Sequence, residues 1–110
     1  MEIVNKPWGN FKQFSLNKKS TVKILEVNPN QILSLQKHKK RDEMWYFITD
    51  GYCRIGNEDK KVKEGGTVDI GKGVIHRLYA KDKRVLVLEV SFGNFDENDI
   101  IRIEDKYDRK

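Results

Sequence analysis

The chain has 110 residues and a formal net charge of +5, with 37% hydrophobic and 35% charged residues. This length predicts one domain over residues 1–110, because two separate cores need a longer chain. No apolar run approaches the roughly 18 residues of a membrane span, and the N-terminus lacks a signal-peptide apolar region. The single cysteine, Cys53, excludes an internal disulfide framework and favours a reducing compartment. We therefore expect a cytoplasmic protein with no membrane partner.

The charge balance is basic, with 22 Lys and Arg against 17 Asp and Glu. Such an excess favours an anionic partner, which charge alone does not identify as nucleic acid, phosphorylated metabolite or anionic surface. The densest basic run is Lys37-His38-Lys39-Lys40-Arg41, and two acidic residues follow it at once. Since no nucleic-acid motif accompanies this run, we expect no nucleic-acid partner.

Two-residue alternation of apolar and polar side chains continues along most of the chain and indicates short strands. In chain order, strands are predicted over residues 22–27, 32–36, 44–48, 52–55, 67–70, 75–79 and 84–92. Residues 95–107 are the only stretch in which a helical turn is expected. About eight to ten short strands, with turn signals every 8 to 12 residues, predict an all-β sandwich or small barrel.

Four side chains form a candidate metal site. The chain has two histidines, His38 and His76. Gln36 and His38 lie two apart on one strand and therefore project to the same face, while Glu43 begins the next strand. Two imidazole nitrogens, one carboxylate oxygen and one amide oxygen suit a borderline divalent cation such as zinc, manganese, cobalt, nickel or iron.

These residues resemble the two metal-binding motifs of the cupin superfamily, whose fold is a double-stranded β-helix, or jelly-roll, barrel. The first motif lies on Asn30, Gln36, His38, Glu43 and Gly51, and the second on Gly65, Gly71, Gly73, His76 and Ala80. Four blocks, over nearly the whole chain, are similar to type II mannose-6-phosphate isomerase: residues 6–9, 34–45, 73–78 and 99–109. Two positions depart from that family, where Lys40 replaces a common histidine and Asp108 replaces a glycine.

The resemblance implies an isomerase that interconverts mannose 6-phosphate and fructose 6-phosphate through a cis-enediol, with zinc as the favoured ion. It implies catalytic roles for Arg41 and Glu104 and a metal site on Gln36, His38, Glu43 and His76. Substrate binding is expected from Arg41, Lys40, Arg77 and Arg102, although strand alternation points Arg77 away from the face of His76. The catalytic base stays open among Glu104, Asp105, Lys40, Tyr107 and a metal-bound hydroxide.

Two alternative functions stay open, and a homodimer is expected. The chain could be another cupin enzyme, acting on sugars or nucleotide-sugars or using oxygen with iron, or a non-catalytic sugar- or metal-binding cupin. The amide of Gln36 argues against an iron oxygenase, because those cupins favour three or more nitrogen ligands. A homodimer is expected through edge strands, with the N-terminal strand around Phe11 to Phe14 as the pairing element.

Overall fold

The computed structural model describes residues 1–109, which form eleven β-strands in three antiparallel sheets. Within these residues no helix is long and apolar enough to cross a membrane. In chain order the strands are β1 (Glu2–Lys6), β2 (Gly9–Gln13), β3 (Ser20–Val27), β4 (Leu35–Lys37), β5 (Glu43–Phe47), β6 (Gly51–Ile55), β7 (Glu58–Val62), β8 (Thr67–Ile70), β9 (His76–Tyr79), β10 (Val85–Phe92) and β11 (Ile101–Glu104).

Two large sheets form the barrel, in the strand orders β3-β10-β5-β8 and β11-β4-β9-β6-β7. Strand alternation turns one set of side chains inward, and Trp45, Phe47, Leu78 and Val87 are completely buried between the sheets. The free cysteine, Cys53, is part of this core. The predicted all-β jelly-roll barrel is thereby confirmed.

Most predicted strands agree with the structure to within two residues. The strand predicted over residues 32–36 and the helical turn expected within residues 95–107 do not. The ladder of β4 begins only at Leu35, because residue 32 is joined to Tyr79 by an isolated bridge. Residues 95–107 contain β11 and no helix. Their backbone carbonyls at Asp96 and Asp99 accept hydrogen bonds from barrel side chains instead of forming the i to i+4 ladder of a helix.

An N-terminal hairpin of β1 and β2 lies outside the two barrel sheets. The Phe14 ring that follows it meets the Tyr46 ring edge-on, with 5.2 Å between centroids. Phe11 and Phe14 line a shallow cavity together with Val22, Leu88 and Val90. The hairpin therefore covers part of the outer face of the β3-β10-β5-β8 sheet.

This outer face is apolar, although the outer face of an antiparallel sheet is commonly polar. On β3 its side chains include Val22 and Ile24, which are 57% and 64% exposed. Leu88 opposes Ile24 and Val90 opposes Val22 in the β3–β10 register. The sheet thus carries hydrophobic residues on both faces.

The barrel core leaves no room for a side chain at Gly51. A Cβ atom there would lie 2.7 Å from Val85 Cγ1 and 2.8 Å from Phe47 Cε2. We expect Gly51→Ala to lower the free energy of unfolding by about 1–3 kcal/mol, the usual cost of overpacking. Gly71→Ala is the matched control, because its Cβ would meet only Val74 Cγ2 at 3.7 Å. Urea unfolding of both variants measures the difference, and equal stabilities would contradict this view of the core.

Candidate metal centre

Facing strands of the two barrel sheets hold the predicted metal ligands. Glu43 is the first residue of β5, and His76 is the first residue of β9. Gln36 on β4 opposes His76 directly in the antiparallel register, so both side chains lie on the same face. His38 follows β4, and one ligand atom from each of His38, Glu43 and His76 lies within 4.8 Å of the others.

The three buried side chains meet at one carboxylate oxygen. Glu43 Oε1 lies 3.1 Å from His38 Nε2 and 3.7 Å from His76 Nε2. Ligands bound at about 2.0–2.2 Å to a shared tetrahedral ion lie about 3.3–3.6 Å from one another. The two distances from Glu43 Oε1 lie within about 0.2 Å of this range, and all three ligand atoms lie within 4.8 Å of one another, so small side-chain adjustments would let them share one cation.

The other ring nitrogen of each histidine fixes its tautomer. His38 Nδ1 donates to the Asp99 carbonyl at 2.7 Å, and His76 Nδ1 donates to the Val74 carbonyl at 2.8 Å. Since a carbonyl only accepts, each neutral ring carries its proton on Nδ1 and turns the Nε2 lone pair toward Glu43. In metal sites, a hydrogen bond from the ring nitrogen that does not bind the metal commonly orients a histidine ligand in this way.

Two of the converging atoms have no hydrogen-bond partner among residues 1–109. Glu43 Oε1 and His76 Nε2 are buried and unsatisfied. An unsatisfied buried polar atom costs about 1–3 kcal/mol, and more when it carries charge. Lone pairs that face each other out of water repel unless a proton or a metal ion lies between them. The donor set and its burial thus fit a divalent cation.

Electrostatics keep the carboxylate ionised. Burial alone would raise the pKa of Glu43, but contacts with His38, Ser91 and Arg41 outweigh it and lower the pKa to about 2. Ser91 Oγ donates to Glu43 Oε2 at 2.8 Å, and Arg41 Nε donates to the same oxygen at 3.1 Å. Both donors occupy Oε2 and leave Oε1 for the cation.

The two histidines differ in proton affinity. Burial lowers the pKa of His38, but the adjacent Glu43 carboxylate and the hydrogen bond to the Asp99 carbonyl outweigh burial and raise the pKa above its ordinary value. Burial lowers the pKa of His76, and the nearby His38 and Arg41 act in the same direction. His76 is therefore neutral at pH 7, which is the form that binds a metal.

An open cavity of about 630 Å³ adjoins the cluster. This volume is within the 300–1,000 Å³ range of ordinary small-molecule sites. Three of the predicted ligands line this cavity: Gln36, His38 and Glu43. The rest of its wall comes from both sheets and from the 95–102 segment: Lys23, Leu25, Leu33, Arg41, Glu89, Phe95, Glu97, Asn98, Ile100 and Arg102. The candidate ion would face a space large enough for a small substrate.

Arg41 lies in the cavity wall, but protein groups already hold its guanidinium. It donates from Nε to Glu43 and from Nη1 to the Asp96 carbonyl at 2.9 Å, and it stacks on Phe95 at 4.4 Å. Its Nη2 lies 3.4 Å from His38 Nε2. These contacts make Arg41 a residue that positions the Glu43 carboxylate, and its predicted contact with substrate stays a prediction.

Arg102 is the predicted basic residue best placed to meet an anion. It opposes Gln36 in the β11–β4 register, which puts both side chains on the cavity side. Its Nε is buried and has no hydrogen-bond partner among residues 1–109. A guanidinium in that state is suited to a phosphate, which accepts paired charge-assisted hydrogen bonds.

The remaining predicted residues lie elsewhere. Arg77 points away from the cavity, as strand alternation predicts, and donates to the Leu33 carbonyl and to Glu104. Glu104 is 60% exposed in that ion pair. Lys40 is exposed, with its backbone N–H bonded to Asp99. The structure does not bring Arg77, Glu104 or Lys40 into the cavity wall, and their roles stay predictions.

Sequence reasoning missed three charged residues that line the cavity, Lys23, Glu89 and Glu97. Glu89 is buried near the middle of β10, and Trp45 Nε1 donates to its Oε2 at 2.9 Å. Burial raises the pKa of Glu89, and the nearby Glu43 charge raises it further. The signal was present in the sequence, because alternation places residue 89 on the inward face with Val85 and Val87.

Metal affinity tests this geometry. We expect His38→Ala and His76→Ala each to weaken zinc binding at least about 100-fold, since loss of a ligand costs more than the 10–100-fold cost of losing a supporting contact. Gln36→Ala should weaken binding less, because an amide is a weak ligand. Competition with a chromophoric chelator measures the dissociation constants, with Glu58→Gln on the exposed β7 as the control. Full zinc occupancy in both histidine variants would refute the site.

The family described as "Mannose-6-phosphate isomerase C-terminal" matches residues 1–105. The xanthan biosynthesis protein XanB of Xanthomonas campestris pv. campestris (strain B100) is 36% identical to this chain. The mannose-1-phosphate guanylyltransferase ManC of Salmonella typhimurium is 34% identical. Each alignment covers 96% of this chain and 23% of the relative, so the chain spans about a quarter of the length of these curated relatives.

Solved structures agree with the barrel. A cupin 2 conserved barrel domain protein from Rhodopseudomonas palustris matches with a TM-score of 0.67 at 19% identity, covering 80% of this chain and 61% of that one. This likeness concerns the fold alone. Together with the family match and the two metal-binding motifs, it identifies the chain as a member of the mannose-6-phosphate isomerase C-terminal family with a cupin barrel fold.

Proposed function

We propose that the chain is a metal-dependent isomerase that interconverts mannose 6-phosphate and fructose 6-phosphate. The observation that supports the proposal most strongly is that buried acceptor atoms and a buried donor atom, all without a hydrogen-bond partner among residues 1–109, lie in or beside one cavity. Glu43 Oε1 and His76 Nε2 require a cation, and the buried Arg102 Nε requires an acceptor. A sugar phosphate bound beside a divalent ion satisfies both. Family membership supports the same substrate class.

The ion would be held by His38, Glu43 and His76, with Gln36 as a fourth ligand. We propose zinc, which takes nitrogen and oxygen ligands of this kind. Once bound, the ion would stabilise the negative charge that develops on the sugar oxygens when a proton leaves C2. Arg41 keeps the carboxylate of Glu43 in place through its 3.1 Å hydrogen bond.

Substrate binding is assigned to two basic residues that line the same cavity, Arg102 and Lys23. The guanidinium of Arg102 would bind the phosphate, with the ammonium group of Lys23 contributing positive charge. Lys23 also lies over the Phe95 ring at 4.1 Å, which places its charge next to the 95–100 segment. The net charge of +5 would attract a dianionic sugar phosphate, an effect that salt weakens.

A coupled assay tests the proposed activity. Protein stripped with a chelator and refilled with zinc, manganese, cobalt or nickel is given mannose 6-phosphate, and fructose 6-phosphate is measured. We expect product only in the presence of a metal. Absence of product with every metal, in protein that binds the metal tightly, would refute the isomerase. Oxygen uptake with iron would instead support an oxygen-using cupin.

An arginine variant tests the phosphate site within the same assay. Arg102→Met should raise KM for mannose 6-phosphate by about 10–100-fold, since a hydrogen bond to a charged group contributes about 1.5–3 kcal/mol. Arg84→Met is the matched control, because Arg84 is exposed and pairs with Glu26 outside this cavity. An unchanged KM in Arg102→Met would remove Arg102 from the substrate site.

We also propose that two copies of the chain associate through the apolar outer face of the β3-β10-β5-β8 sheet and the N-terminal hairpin. A two-stranded hairpin is marginally stable alone, and most residues of β1 and β2 are exposed. Trp8 at its turn is 73% exposed. The face has few charges in a chain of +5, so a second copy meets it without strong repulsion between like charges. A homodimer would cover this surface.

Light scattering coupled to size-exclusion chromatography tests the homodimer. The chain is expected to elute with twice the mass of one copy, and Ile24→Lys should shift it to a single copy by placing a charge in the apolar face. Asn57→Lys, an exposed change of the same charge in the β6–β7 turn, should leave the dimer intact. A single-copy mass for the unmodified chain would refute the interface.

A further inference from the structure

We propose that Glu89 is the catalytic residue that carries the proton between C1 and C2 of the sugar. This inference rests on the proposed isomerase activity, and it assigns the base to a residue outside the metal ligands. Three observations support the inference: the placement of Glu89 in the barrel, its single hydrogen-bonded side-chain partner among residues 1–109, and the positions of the other carboxylates.

The register of β5 and β10 places Glu89 one diagonal step from the metal cluster. Glu43 opposes Ser91, and Trp45 opposes Glu89. All four alternate in step with the core residues Phe47 and Val87 on the same two strands, which places them on the inward face of the sheet. Diagonal neighbours on one face of an antiparallel pair lie about 7–8 Å apart. Glu89 is therefore a second carboxylate beside the candidate ion, on a rigid central strand.

The indole of Trp45 holds Glu89 in position. Its Nε1 donates to Glu89 Oε2, while its ring lies edge-on to the His76 ring with 5.6 Å between centroids. Oε2 is the only oxygen of Glu89 with a hydrogen-bonded side-chain partner among residues 1–109. Because Glu89 lines the cavity, its other oxygen is available to a bound sugar.

Other acidic residues are less well placed to move this proton. The Glu43 carboxylate belongs to the candidate ion, Ser91 and Arg41. Glu97 lines the cavity but is exposed, and Glu104 pairs with Arg77 outside it. Glu89 alone among these carboxylates is buried, lines the cavity and is not a candidate ligand. Its raised pKa also suits a base that must abstract a carbon-bound proton near neutral pH.

Proton transfer from C2 to C1 needs neither an oxidant nor a reductant. In open-chain mannose 6-phosphate, the Glu89 carboxylate takes the proton from C2. The C–H electron pair forms the C1–C2 double bond, and the carbonyl pair moves to O1, which takes a proton from a solvent water. The hydroxyl at C2 next gives its proton to the resulting hydroxide and becomes a carbonyl, while the double-bond pair takes the proton on Glu89 at C1. Fructose 6-phosphate leaves, and the carboxylate is regenerated.

Glu89→Gln tests the assignment, because it keeps the shape of the side chain and an oxygen for the Trp45 hydrogen bond. The melting temperature of the variant shows whether it folds like the unmodified chain. In zinc-loaded protein in D₂O, proton NMR measures solvent exchange at C2 of mannose 6-phosphate alongside isomerisation. We expect both rates to fall at least about 100-fold, the usual contribution of a general base. Bound zinc, melting temperature and the Kd for mannose 6-phosphate should stay unchanged.

Glu58→Gln is the control, because it removes one negative charge from the exposed strand β7, outside this cavity, and should change neither rate by more than threefold. Activity within tenfold of the unmodified chain in Glu89→Gln would overturn the assignment and leave the isomerase intact. Loss of zinc or of folding in that variant would give Glu89 a structural role and overturn it too. An unmodified chain that neither exchanges nor isomerises would refute both the proposed function and this inference.

Discussion

The buried, ionised carboxylate of Glu43 is the interaction on which the rest of the site depends. Moving an ion out of water costs several kcal/mol in real proteins, so the charge persists only where other groups stabilise it. Ser91 and Arg41 do this at Oε2, while Oε1 faces two imidazole nitrogens that have no proton to donate in their neutral form. Oε1 and the two Nε2 atoms therefore present three converging lone pairs to a cation.

Three separate parts of the fold converge to build this arrangement. The β5–β10 register sets Glu43 opposite Ser91, and the β4–β9 register sets Gln36 opposite His76. The segment between β10 and β11 closes the cavity, and its carbonyls accept hydrogen bonds from His38 and Arg41. This segment therefore fixes both a ligand and the arginine that supports the carboxylate, which explains why it is not a free surface loop.

The sequence predicted which side chains come together better than it predicted what surrounds them. Alternation and spacing were sufficient to select His38, Glu43 and His76, and β8 was predicted with its observed bounds. Arg77 turned outward because its strand keeps a strict two-residue period. Glu89 and the path of residues 95–100 were missed, since contacts across the barrel decide them. A carboxylate within an apolar strand can be assigned to the site only when the position of that strand relative to the ligands is known.

The distribution of unsatisfied groups distinguishes a binding site from a packing defect. Of the four buried side-chain atoms without a hydrogen-bond partner in residues 1–109, three line or adjoin one cavity. Glu43 Oε1 and His76 Nε2 are acceptors, which a cation satisfies, and Arg102 Nε is a donor, which an anion satisfies. A divalent ion and a phosphate would give these groups charged partners, which bind more strongly than neutral ones. Proteins leave buried polar atoms without a hydrogen-bond partner mainly where function requires it. Here two such atoms are acceptors and one is a donor, and all three lie in or beside one cavity. This pairing favours a substrate that offers oxygens to a metal at one end and carries a phosphate at the other.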